Sequence, residues 1–133
     1  MTGELTADTR VPPAQLAAGI LLDIKAITIS PDNPFTFTSG RLSPVYVDCR
    51  RIISFPRART LLMQMGKDLL YNKVGAEAFD VVAGGETAGI PFAAWISELL
   101  GLPMLYVRKQ PKGFGKYTQL HSVLFVRPKA FAS

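Results

Sequence analysis

Two segments carry the residue types and spacing needed to hold a phosphate. The first is Gly84-Gly85-Glu86-Thr87-Ala88-Gly89, which follows the short apolar stretch Phe79-Asp80-Val81-Val82-Ala83 and precedes an apolar run beginning at Ile90. Where a strand passes into a helix, unpaired backbone N–H groups and the helix dipole favour an anion. Glycine lets the backbone come close to a phosphate oxygen that a side chain would keep away. No Gly-Lys-Ser/Thr follows, so this is not a Walker loop, and the G-x-G-x-x-G spacing of a dinucleotide fingerprint is absent. An ordinary tight turn between strand and helix has the same composition, and the segment alone does not choose between the two.

The second segment, Arg108-Lys109-Gln110-Pro111-Lys112-Gly113-Phe114-Gly115-Lys116, concentrates four cations with two glycines and a proline. Lys and Arg there can neutralise a diphosphate, and the glycines let the loop close over it. A solvated surface loop shows this composition too. The pair is more specific than either member, because both map to the C-terminal edge of adjacent strands, where open α/β sheets bind ligands. Other residues offer less. His121 is the sole histidine and has no metal-binding partners, so no metal ligand is assigned. Cys49 lies between Asp48 and Arg50 with no sign of a Cys-His pair, and Trp95 reads as helix core.

The elements that must position these segments follow from periodicity and punctuation. Leu16, Ala17, Ile20, Leu21 and Ile24 have helical spacing within residues 14–27, after a polar lead-in over residues 1–13 that reads as flexible. Ser30-Pro31-Asp32-Asn33-Pro34 is a turn cluster. Phe35–Thr38 and Ser43–Asp48 are β-branched and aromatic, and predict a hairpin across Ser39-Gly40-Arg41-Leu42 or a pair of short strands. Pro56 opens a helix expected to run to about Lys73. The strand at 79–83, the glycine turn, a helix over 90–100 stopped by Gly101 and Pro103, and a strand over 103–107 make one βαβ unit with a parallel sheet. The architecture is α/β.

The chain has 133 residues, 48% of them hydrophobic and 19% charged, with a net charge of +5. The length suits one domain, and the composition excludes a disordered chain. No apolar run approaches the ~20 residues of a membrane-spanning helix. The opening residues lack a basic stretch followed by an apolar one, so no secretory signal is expected. One thiol fits a reducing, cytoplasmic compartment. The charge is uneven: residues 41–59 hold Arg41, Arg50, Arg51, Arg57 and Arg59 against Asp48, and no carboxylate follows Glu98. Two basic clusters around an acidic centre point to phosphate groups or nucleic acid, or else to a solvated basic face. Aromatic residues do not interleave with the cations as a single-strand surface needs, which disfavours nucleic acid.

Three segments, Phe35–Arg50 (FTFTSGRLSPVYVDCR), Val81–Ala93 (VVAGGETAGIPFA) and Leu100–Gly115 (LGLPMLYVRKQPKGFG), together resemble the orotate phosphoribosyltransferases, a type I phosphoribosyltransferase family. The resemblance covers roughly residues 14–119, and R-K-x-x-K-G-x-G after a strand ending in Tyr-Val is its most specific part. It implies a single domain over residues 14–133: a parallel sheet flanked by helices, with an N-terminal helix and β-hairpin hood. It implies transfer of the phosphoribosyl group of phosphoribosyl diphosphate to orotate, giving orotidine monophosphate and diphosphate in pyrimidine biosynthesis. Magnesium would be bound with phosphoribosyl diphosphate, and a homodimer is expected. Ser39, Gly40 and Arg41 would lie near the diphosphate or base pocket, with Tyr46 in the region that packs on the base. Gly85, Glu86, Thr87, Ala88 and Gly89 would form the diphosphate loop. Arg108, Lys109 and Lys112 would contact the diphosphate, Lys112 as the catalytic residue on a loop reaching into the neighbouring subunit.

The sequence departs from the family pattern at Thr38 and Ala88, where many members carry lysine, and at Phe114, where many carry histidine. After about residue 119 it diverges. The family continues into a strand ending in two acids and a Thr- and Gly-rich loop for the 5-phosphate. Here Ser122–Val126 reads as a strand followed by Arg127-Pro128-Lys129-Ala130-Phe131-Ala132-Ser133, as an early stop or frame change in a longer gene would produce. An inactive fragment, or a basic nucleotide- or RNA-binding module, stands as the alternative.

Overall fold

The computed structural model describes residues 11–110 and 120–121. The chain divides into two compact units, the first running to Leu62 and the second beginning at Met63.

In the first unit, Pro13–Asp23 forms helix α1, with proline in its first turn where a missing N–H costs nothing. The expected helix over 14–27 thus starts one residue earlier and stops four short. The cause is Lys25, which takes a positive φ of 56°, while the amides of Ile24, Lys25 and Ala26 fold back onto the carbonyls of Ile20, Leu22 and Leu21. Ile27–Ile29 then leaves as strand β1, a β-branched run of which the expected helix had included only Ile27.

The expected hairpin is also more divided than its sequence implied. Phe35–Thr36 (β2) pairs antiparallel with Leu42–Ser43 (β3), and Val45–Val47 (β4) pairs antiparallel with β1. Pro44 separates β3 from β4, since it has no N–H to donate to a ladder. Its carbonyl instead accepts from Ser30 N at 2.8 Å, and at the other end of the β1–β4 pair Asp48 N donates to Ala26 O at 2.8 Å. A 3-10 turn, Cys49–Ser54, follows, its first turn capped by Asp48, whose carboxylate accepts from Arg50 N. The core of this unit is small: Ile20, Ile24, Ala26, Ile52 and Ala58 are buried.

Helix α2 spans Pro56–Val74, close to its expected limits, and the division between the units falls inside it. In the second unit Val82–Gly85 (β5), Gly89–Leu100 (α3) and Met104–Val107 (β6) form the expected βαβ unit, with β5 and β6 parallel in the register Val82↔Met104 to Gly85↔Val107. Leu120–His121 (β7) pairs antiparallel with β6, giving the order β5-β6-β7. The expected strand over 122–126 lies outside the described residues. Helix α3 ends as its sequence predicts. Gly101 adopts a left-handed φ of 64°, and the amides of Gly101 and Leu102 close onto the carbonyls of Glu98 and Ser97. Phe92 and Trp95 stack edge to face on this helix, 5.7 Å between centroids, and both are half-buried.

Strand β5 was expected over 79–83 and sits further along, so that Gly84 and Gly85 belong to the strand rather than the turn. Pairing with β6 outweighs the poor strand preference of glycine. At Gly84 there is a second reason for glycine: a Cβ there would stand 2.7 Å from Ala93 Cβ and 2.7 Å from the Gly89 carbonyl oxygen. At Gly85 a Cβ would meet nothing within 4 Å. Gly84→Ala should therefore destabilise the chain by about 1–3 kcal/mol through forced overpacking, and Gly85→Ala by much less. Urea unfolding of the two variants side by side checks this ordering.

Candidate functional site

The second unit brings the glycine turn together with the first residues of the basic segment, Arg108 and Lys109. Only three residues, Glu86, Thr87 and Ala88, separate β5 from α3, and the Glu86–Thr87 peptide is cis. Glu86 N donates to Val107 O at 2.8 Å, extending the β5–β6 ladder one step beyond the strand. The Glu86 carboxylate then turns to the other chain segment: its Oε2 accepts from Lys109 N at 3.0 Å. The turn is thus joined to the end of β6 and the root of the basic loop by two hydrogen bonds, one donated and one accepted by Glu86. Ile90 N closes weakly on Thr87 O at 3.3 Å, and Ala88, at the N-cap position of α3, provides no side-chain cap. Thr87 and Ala88 are exposed, and so is Gly85.

Arg108 leaves β6 half-buried, and its Nε is fully buried with no hydrogen-bond partner. A buried guanidinium nitrogen without an acceptor is costly, and an acceptor such as an anion oxygen would satisfy it. Lys109 is exposed beside it. Lys112 and Phe114 lie outside the described residues, as does most of the expected loop.

In the first unit the hairpin tip carries Ser39, Gly40 and Arg41. Gly40 takes a φ of 81°, a conformation that glycine adopts freely. Gly40 N donates to Phe37 O at 2.8 Å, and Phe37 N to Arg41 O at 2.9 Å, closing a tight turn. Ser39 Oγ stands 3.5 Å from Arg41 N, and all three tip residues are exposed. Tyr46, at the middle of β4, gathers two further aromatic rings that sequence reading had not grouped with it: Phe35 at 5.5 Å and Phe37 at 6.4 Å between centroids. Tyr46 and Phe37 are 37% and 38% exposed, so this aromatic group presents a surface rather than a core. The alternation of Phe35 and Phe37 along one face was the available signal.

The arginine-rich stretch 41–59 largely serves the fold. Arg51 Nε donates to Ile24 O at 2.9 Å at the end of α1, and Arg59 donates to Ile53 O at 2.9 Å. Arg50 binds both Asp48 carboxylate oxygens, at 2.6 and 3.0 Å. Among the described residues no three His, Cys, Asp or Glu side chains are grouped to hold a metal ion. No helix among those residues is long and apolar enough to cross a membrane.

No protein-family model matches the chain. Among solved structures it is similar to the orotate phosphoribosyltransferase of Aeropyrum pernix, with a TM-score of 0.60 and 32% identity over 78% of this chain and 56% of that one. It is also similar to UMP synthase of Leishmania donovani, with a TM-score of 0.61 and 29% identity over 77% of this chain and 22% of that one. The fold is that of the type I phosphoribosyltransferases. In sequence, the chain is 51% identical over 117 residues to the orotate phosphoribosyltransferase of Rhizobium rhizogenes, covering 88% of the chain and 50% of that relative. It is 52% identical over 120 residues to the namesake of Cereibacter sphaeroides, covering 87% and 52%. The chain spans about half the length of the curated relatives it matches.

The Arg50 guanidinium holds the Asp48 carboxyl below its ordinary value of 3.8, against opposing desolvation, with help from the Arg50 amide and the charges of Arg50 and Arg51. A carboxyl depressed in the folded state stabilises it above the unfolded value, and that contribution is lost as pH falls through the folded value. An NMR titration should place the Asp48 midpoint below 3.8 and show it rising in Arg50→Ala.

Proposed function

We propose that this chain recognises the diphosphate of phosphoribosyl diphosphate and takes part in orotate phosphoribosyl transfer. The observation that carries the reading is the buried, unpartnered Nε of Arg108, on a chain segment that Glu86 joins to the strand–helix turn. The 51% identity to an orotate phosphoribosyltransferase supports the choice of reaction.

In this reading the exposed backbone of Gly85 to Gly89 and the cations Arg108, Lys109 and Lys112 receive the diphosphate. The C1–O bond of the ribose breaks with oxocarbenium character, so negative charge grows on the departing diphosphate. Cations fixed beforehand around that position stabilise the transition state more than the ground state. Lys112 is the residue proposed to act in that step. Tyr46, with Phe35 and Phe37 beside it, offers an aromatic surface suited to a planar base, and Ser39, Gly40 and Arg41 at the hairpin tip offer polar groups to its edge. Magnesium enters as part of the substrate salt. A homodimer and a cytoplasmic setting accompany the reading by the same resemblance.

The test is twofold. Inorganic diphosphate should bind to the purified chain, and Arg108→Ala should weaken it by about tenfold or more, as loss of a charge-assisted contact does. With orotate, phosphoribosyl diphosphate and magnesium, orotate should be consumed at an enzymatic rate of ~1 per second or more. Lys112→Ala should lower that rate far more than Lys129→Ala. Diphosphate binding without orotate consumption would confine the function to anion recognition. Absence of both would refute it.

A further inference from the structure

We infer that Glu86 is a positioning residue, holding the root of the basic loop against the strand–helix turn so that both present one anion site. This rests on the diphosphate reading above and adds a role for a residue whose charge is wrong for direct contact. A carboxylate in a turn meant for an anion repels that anion, so its presence calls for a compensating use. The structure supplies one. Glu86 N donates to Val107 O at 2.8 Å and Glu86 Oε2 accepts from Lys109 N at 3.0 Å. These bonds bracket Arg108: the residue before it and the residue after it are both fixed to Glu86. The backbone carrying the Arg108 guanidinium therefore has its direction set from the turn, and the Nε of that guanidinium is buried and unpartnered.

Using the Lys109 amide as donor also has a chemical logic. It occupies a carboxylate oxygen of Glu86 with a neutral group, which leaves the ammonium of Lys109 uncommitted to that bond. A Glu86–Lys109 ion pair would instead have neutralised a cation that the site needs.

Charge and geometry make opposite predictions for Glu86. If the carboxylate merely repels, Glu86→Ala tightens diphosphate binding. If it positions, Glu86→Ala weakens binding by about three- to tenfold, the scale of one typical intramolecular hydrogen bond. Glu86→Gln keeps an acceptor oxygen and drops the charge, so it should bind inorganic diphosphate more tightly than Glu86→Ala.

The experiment is titration of the full chain and both variants with inorganic diphosphate, together with amide hydrogen exchange by NMR. Exchange at Lys109 N should accelerate about tenfold in Glu86→Ala, while Glu86 N, bonded to Val107, stays protected. A general loss of fold would expose both amides alike, which separates positioning from simple destabilisation. Equal or tighter binding in Glu86→Ala, or unchanged Lys109 exchange, overturns the proposal and leaves the diphosphate reading standing. Failure of the unaltered chain to bind diphosphate overturns both.

Discussion

Strand β5 and helix α3 come together at Gly84, where there is no room for a Cβ between Ala93 and the Gly89 carbonyl. That contact sets the distance between sheet and helix, and a short distance leaves only a short connection. Three residues complete it, and the amides that begin α3 stay at the end of β5. Had the strand and helix been spaced by side chains, the connection would have been longer and its N–H groups carried away from the sheet edge. The glycine needed for packing is thus separate from the glycine needed for access. Gly84 lets the elements touch, and Gly85, with open space around it, leaves the edge clear.

The positive charge of the chain divides along a similar line. Arg50, Arg51 and Arg59 tie down Asp48, the end of α1 and the Ile53 carbonyl. These are local structural uses, in which the five-donor guanidinium reaches carbonyls that the small core of this unit cannot cover. Arg108 differs because its buried nitrogen has no such acceptor. Counting cations by sequence window gives both clusters equal weight; only their hydrogen-bond partners distinguish them.

Punctuated elements were legible in the sequence. Pro56 marks the start of α2, and the Gly101–Pro103 pair marks the end of α3, because each residue acts through its own backbone geometry. The βαβ order followed from the same marks. Elements decided by pairing were less visible. Strand β1 was hidden because Ile24 and Ile27 continue a helical spacing, and a lysine at positive φ leaves no signature. Strand β5 was placed too early because its last two residues are glycines, held in the sheet by β6 rather than by preference. In the site, residue types marked the glycine turn and the basic loop. The Glu86 link to an amide 23 positions away has no counterpart in any local pattern.

Pro44 interrupts what would otherwise be one continuous strand, so that β3 belongs to one ladder and β4 to another. Ser43 Oγ bridges the interruption, donating to Val45 O at 2.8 Å and accepting from Val45 N at 3.2 Å. Each ladder consequently keeps its own register: the tip turn fixes one, and the bonds from Ser30 and Asp48 fix the other. A residue gained or lost at the Ser39–Arg41 tip shifts the pairing of Phe35 and Thr36 without moving Tyr46 out of line with Thr28. Tyr46 therefore keeps its place opposite Thr28 independently of the tip, whereas Phe35, in the other ladder, moves with it.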